Sequence, residues 1–128
     1  MSRPATILLA EDDRILRKAG EATLKKRGYA VIAAVDGEDA LAKARDHKPD
    51  LILLDVIMPK MQGFEVLANL KSDAATRDIP VIMLSNLQDE SDVRKATDAG
   101  ALDYLVKSNV PLDVLAARIA EALARPRA

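Results

Sequence analysis

Leu51-Ile52-Leu53-Leu54 runs without a polar interruption into Asp55, and Met58-Pro59 follows shortly after. Four consecutive apolar residues show no alternation between two faces, so the segment reads as a strand covered on both sides, as in a parallel sheet lying between helices. Asp55 then stands at the carboxyl end of that strand. In open α/β sheets ligands and chemistry gather outside the carboxyl ends, which makes Asp55 a candidate nucleophile.

The rest of the chain supplies more units of the same kind. Thr6 to Ala10 is a second aliphatic run, ended by three successive acids, Glu11-Asp12-Asp13. From residue 14 the period changes: Ile15, Leu16, Ala19, Gly20, Thr23 and Leu24 fall on one arc of a helical wheel, opposite Arg14, Arg17, Lys18, Glu21 and Lys25. A first helix is predicted there, with Gly28 as its stop. Tyr29 to Val35 reads as the second strand. Asp36 can cap the next helix, with Asp39 in its favourable first turn. That helix buries Ala40, Leu41 and Ala44 and stops before Lys48-Pro49, because a residue preceding proline is pushed out of the helical region.

Beyond Asp55, the Pro and Gly of Met58-Pro59-Lys60-Met61-Gln62-Gly63 mark a loop. A third helix places Phe64, Leu67 and Leu70 on one side and is broken by Asp78-Ile79-Pro80. Val81 to Leu84 is the fourth strand, ending at Ser85. A fourth helix starts at Asp89 or Ser91, contains Val93 and Ala96, and ends at Gly100. Leu102 to Val106 is the fifth strand, with Asp103 marking a sheet edge, and it delivers Lys107 to its carboxyl end. Pro111 suits the first turn of the last helix, whose apolar stripe is Leu112, Leu115, Ala116, Ile119 and Leu123.

Five alternations of strand and helix, with no repeat or linker between them, predict one α/β domain over residues 1–128. Right-handed crossovers put helices on both faces, and the doubly wound, flavodoxin-like order 2-1-3-4-5 is the natural layout for five parallel strands. A length of 128 residues suits a single core, and a net charge of -1 gives no reason to expect nucleic acid or anionic lipid over the whole surface. The absence of cysteine excludes disulfides and thiolate chemistry. No apolar run approaches the roughly 20 residues of a membrane span, and Met1-Ser2-Arg3-Pro4-Ala5 lacks a signal-peptide core. A cytoplasmic location is expected.

In this layout four strands deliver polar groups to one edge: Asp12 and Asp13, Asp55, Ser85 and Lys107. Three neighbouring carboxylates repel and need positive charge to stay ionised. Lys107 supplies one unit and a divalent cation the remaining two, and an all-oxygen carboxylate site is what Mg²⁺ prefers. Such a site can draw in a phosphoryl group, with Lys107 and Ser85 on its oxygens, while an in-line carboxylate attacks phosphorus to give an acyl phosphate.

Glu11-Asp12-Asp13, Asp55 followed by Met58-Pro59 and Gly63, Ser85 thirty residues later, and Gly100-Ala101-Leu102-Asp103-Tyr104-Leu105-Val106-Lys107 together resemble the receiver domain of two-component response regulators across essentially the whole chain. The resemblance implies Asp55 as phosphoacceptor, with Asp13 and Asp55 binding Mg²⁺ directly, the Ile57 backbone carbonyl as a further ligand, and Asp12 acting mostly through water. It implies Ser85 and Lys107 as contacts of the phosphoryl oxygens and Tyr104 as an aromatic whose rotamer follows Ser85. The phosphodonor would be a histidine kinase or histidine phosphotransfer protein. The output would be a downstream protein target on the face of the fourth helix, fifth strand and fifth helix, with phosphorylation-dependent dimerisation one form it could take. Catalysis would be confined to the domain's own phosphorylation and dephosphorylation.

The chain departs from the family's pattern at three places. Ser108 follows Lys107 where proline in a cis peptide is usual, Asn86 stands where a small residue is usual, and the two residues expected to flank the mouth, Ile57 and Leu87, are both apolar. The apolar pair is expected to hinder the attacking water and slow dephosphorylation. Two other chemistries are disfavoured. A phosphatase of the haloacid dehalogenase type wants a second acid where Ile57 stands, and a flavodoxin-like flavin carrier wants a phosphate loop where Glu11-Asp12-Asp13 would repel phosphate. A receiver fold used as a phosphorylation-independent docking module keeps the fold and drops the chemistry.

Overall fold

The computed structural model describes residues 4–85, 90–107 and 111–125. Strand β1 (Thr6–Ala10) is followed by α1 (Arg14–Lys26), β2 (Ala30–Ala34), α2 (Gly37–His47), β3 (Leu51–Asp55), α3 (Gly63–Ser72), β4 (Val81–Ser85), α4 (Glu90–Asp98), β5 (Asp103–Val106) and α5 (Leu112–Ala124). All pairings are parallel and the sheet order is β2-β1-β3-β4-β5. The five-stranded, doubly wound α/β fold is the one expected.

Local chemistry sets the boundaries. Asp13 and Asp36 cap α1 and α2, accepting the amides of Leu16 and Asp39 at 3.0 and 2.8 Å. Helix α1 ends before Gly28, whose φ of 93° is left-handed, and α2 ends on Lys48, which takes φ 45° just before Pro49. After α3, the Thr76 hydroxyl donates to the Leu70 carbonyl and Lys71 donates to those of Arg77 and Ile79, so the turn leading into β4 has buried partners.

Side chains of β1, β3 and β4 alternate between two cores. Leu8, Ala10, Ile52, Leu54 and Met83 face one layer, under Ala40, Leu41 and Ala44 of α2, Val66, Leu67 and Leu70 of α3, and Ala96 of α4. Ile7, Leu9, Leu51, Leu53 and Ile82 face the other, under Leu24 of α1 and Ile119 and Ala122 of α5. A strand buried on both faces has no polar positions to spare, which is why β3 is apolar until Asp55.

Two helices depart from the predicted stripes. Ile15 and Leu16 are 80% and 52% exposed, and Leu24 is the residue of α1 that reaches the core. Leu16 borders a cavity that it shares with Leu9, Leu53 and Leu84 of the strands and Leu115 of α5, so its side of α1 is not closely packed on the sheet. In α3 Leu67 and Leu70 are buried as expected and Val66 joins them, while Phe64 packs at the margin of the core with the Lys95 ammonium 4.5 Å from its ring centroid. Strands β2 and β5 are each shorter than expected, beginning at Ala30 and Asp103.

Candidate functional site

Strand register brings the polar groups together. Ala10 pairs with Leu54, Asp55 with Leu84, and Ser85 with Val106, so the residues that end β1, β3, β4 and β5 share one edge. Asp55 closes β3 and is 7% exposed; Ser85 closes β4 and is 1% exposed. One residue beyond β5, the Lys107 amide donates to the Ser85 carbonyl at 2.8 Å and extends that ladder. Its ammonium donates to Asp55 Oδ2 at 2.8 Å and to Glu11 Oε1 at 2.5 Å.

Burial by itself lowers the tendency of Lys107 to hold its proton, but the hydrogen bonds and charges of Asp55 and Glu11 outweigh it, and its pKa is raised above the ordinary value. Charge-assisted bonds of this kind hold the long lysine side chain in one place. On the other side of Asp55, the Ile57 amide approaches Oδ1 at 3.4 Å. The Ile57 residue itself is 56% exposed at the rim of the site.

Among the described residues, Glu11, Asp12 and Asp55 each place a carboxylate oxygen within 4.8 Å of the others'. Asp13 is absent from this group. Its Oδ1 accepts the Leu16 amide as the cap of α1, and its own amide donates to Glu11 Oε2 at 3.2 Å. Glu11, which carried no role in the sequence-based set, is buried where β1 runs out, with its amide on the Ala34 carbonyl at 3.1 Å. The signal was present: Asp13 directly precedes the first helical residue, the position where Asp most often caps.

Three carboxylates and one ammonium leave the site two negative charges in excess. Oxygen-only donors with that deficit fit a hard divalent cation such as Mg²⁺, and the donor set contains no soft or imidazole ligand that would select another metal. Beside it, Ser85 shares a hydrogen bond with Tyr104. Burial pushes the Tyr104 phenol up, Ser85 partly offsets this, and the charges of Asp92 and Asp55 add to the rise. Asn86, Leu87 and Ser108, with the Lys107–Ser108 peptide, lie outside the described residues.

An aspartate on the central strand, an acidic pair after the first and a lysine after the fifth belong to a single family pattern. The profile of the response regulator receiver domain matches residues 7–120. The chain belongs to that family. As a receiver, it is 43% identical over 128 aligned residues to the gliding motility regulatory protein of Myxococcus xanthus, covering 93% of this chain and 16% of that protein. It is 42% identical over 120 residues to the transcriptional regulatory protein AfsQ1 of Streptomyces coelicolor, covering 94% of this chain and 52% of that one. The receiver therefore spans about half or less of the length of these relatives. Among solved structures, the chemotaxis protein CheY4 of Vibrio cholerae superposes with a TM-score of 0.86 at 30% identity, covering 93% of this chain and 98% of that chain.

Receivers are signalling modules of two-component systems, in general non-catalytic, which bind Mg²⁺ in an acidic pocket and interact with histidine kinases and downstream effectors. Among the described residues of this one, no helix is long and apolar enough to cross a membrane.

Proposed function

We propose that this receiver is a phosphorylation-dependent switch of the cytoplasm in which Asp55 accepts a phosphoryl group from a phosphohistidine of a sensor kinase or phosphotransfer protein. The observation that carries this is the Lys107 ammonium bridging Asp55 and Glu11, with the Asp12 carboxylate within reach of both acids. The metal would be held by Glu11, Asp12 and Asp55, and by the Ile57 carbonyl as the family resemblance implies. Asp13 is left to its cap. A bound Mg²⁺ supplies positive charge for the oxygens of the phosphoryl group in transfer.

The chain's own residues do the rest. Asp55 is buried and held by Lys107 and the Ile57 amide, so its carboxylate is aimed before the donor arrives. One of its oxygens attacks phosphorus. The P–N bond of the phosphohistidine breaks, its electron pair returns to that ring nitrogen, and the imidazole leaves neutral because its other ring nitrogen already carries a proton. Lys107 moves from carboxylate to phosphoryl oxygens, where its charge is opposed to the charge in transfer.

The acyl phosphate carries roughly two negative charges where the carboxylate carried one. New acceptor oxygens then compete with Tyr104 for the Ser85 hydroxyl, and Tyr104 lies on β5 between α4 and α5. A change in that bond alters the α4-β5-α5 face, which a downstream protein target reads. Incubation with Mg²⁺ and acetyl phosphate followed by intact mass tests the proposal. A gain of one phosphoryl group that is lost in Asp55→Asn and without Mg²⁺ supports it; no gain would leave a phosphorylation-independent docking module as the better description.

A further inference from the structure

The loop that leaves Asp55 is bent more tightly than its composition requires. Lys60 takes φ 69°, in the left-handed region, and the Met61 amide donates to the Pro59 carbonyl at 2.8 Å across it. A two-residue hydrogen bond over a positive-φ residue is a γ-turn of the strained kind, here centred on lysine rather than glycine. Strain of this sort persists where the surroundings over-determine it.

The surroundings are the first turn of α2. The Gly37 amide approaches the same Pro59 carbonyl at 3.4 Å. Asp36 uses Oδ1 to cap α2 through the Asp39 amide, and places Oδ2 3.6 Å from the Lys60 ammonium. Gly37 lies flat against the loop: a Cβ there would stand 1.8 Å from the Met61 carbonyl oxygen and 2.6 Å from its carbon. At the loop's far end a Cβ on Gly63 would stand 2.2 Å from the Asp55 carbonyl oxygen, and the Gly63 amide donates to the Val56 carbonyl at 2.7 Å. Residues 56–62 are therefore gripped from both sides by backbone that admits no side chain, and Ile57 lies between the grips.

We propose that Asp36 and Gly37 are positioning residues for the metal site, clamping the Lys60 turn so that the Ile57 backbone is presented to the Asp55 edge. This rests on the assignment of Mg²⁺ to that edge. The α2 turn touches neither metal nor phosphate. It acts through the loop, as outer partners of metal ligands do when they fix the orientation of the inner ones.

The test is the affinity for Mg²⁺ alone, followed through the amide shift of Ile57 in the intact chain. Gly37→Ala must displace the Met61 carbonyl, and its dissociation constant is expected to rise about tenfold, the low end of what loss of outer support costs a metal site. A helical far-ultraviolet spectrum unchanged at the titration temperature separates this from general destabilisation, which would lower the melting midpoint and leave the affinity alone. Asp36→Asn keeps an oxygen for the Asp39 amide and loses its charge against Lys60; a weaker affinity there supports the clamp even if Gly37→Ala fails to fold. Affinities of the folded variants within about twofold of the parent, against the tenfold expected, would overturn the clamp alone. A parent chain with no Asp12-dependent Mg²⁺ binding would overturn the metal assignment and the clamp with it.

Discussion

Lys107 holds its proton more tightly than an ordinary lysine although it is half-buried, because two carboxylates accept from it. A lysine whose folded pKa is raised contributes stability that is complete below its unfolded value, about 10.4, and is lost as pH climbs through the folded one. Lys107→Met is therefore expected to lower the unfolding free energy from urea curves at about pH 8, by roughly 3 kcal/mol if the two acids are left uncompensated, and by less as pH climbs above the unfolded lysine value. A loss that stays the same as pH climbs above the unfolded value would contradict this. Asp12 makes the opposite contribution: it adds a third negative charge to the group while remaining exposed. Asp12→Asn is expected to stabilise the metal-free chain by up to about 1 kcal/mol and to lose that advantage in Mg²⁺, with urea unfolding in EDTA and in Mg²⁺ as the measurement. Residue identity carried most of this site. Asp55, Ser85 and Lys107 were legible because each is the first polar group after an apolar run. Glu11 obeys the same rule after the apolar residues 7–10, but it is followed by two more acids, and what divides the three is where β1 stops and α1 begins.

At the scale of elements, the β3-α3 loop and the strand ends form the rim of the site. Ile57 presents an apolar side chain at the rim, 56% exposed. In the proposed switch, water would pass that rim to reach an acyl phosphate on Asp55, and Ile57→Asn is expected to shorten its lifetime severalfold, read by the decay of the phosphorylated mass after the donor is removed. A longer lifetime would contradict it. The strands were readable almost to the residue because a doubly covered parallel sheet tolerates no polar interior positions. The helices were read correctly in extent and less well in facing. The wheel of α1 places Ile15 and Leu16 inward, but a wheel contains no information about how closely a helix packs on its sheet, and Leu16 borders a cavity instead. The turn at Lys60 was invisible for a related reason: lysine carries no local preference for a left-handed backbone, and the contacts that hold it there come from α2.

The whole molecule is two cores on one sheet, with a charged edge where the strands end. The apolar layers stabilise the domain, and the excess of acids at the edge over Lys107 opposes them, since like charges gathered at one place cost free energy unless a cation joins them. A fold that keeps three carboxylates and a lysine at its edge is organised around charge that changes there. The most direct test is to phosphorylate the chain with acetyl phosphate and Mg²⁺, reduce the product with borohydride, and sequence the peptides by mass. Reduction of an acyl phosphate leaves an alcohol in place of the carboxyl group, and the account predicts that change at Asp55, with Glu11, Asp12 and Asp13 untouched. Modification at any of those three, or phosphorylation with Asp55 unreduced, would contradict it.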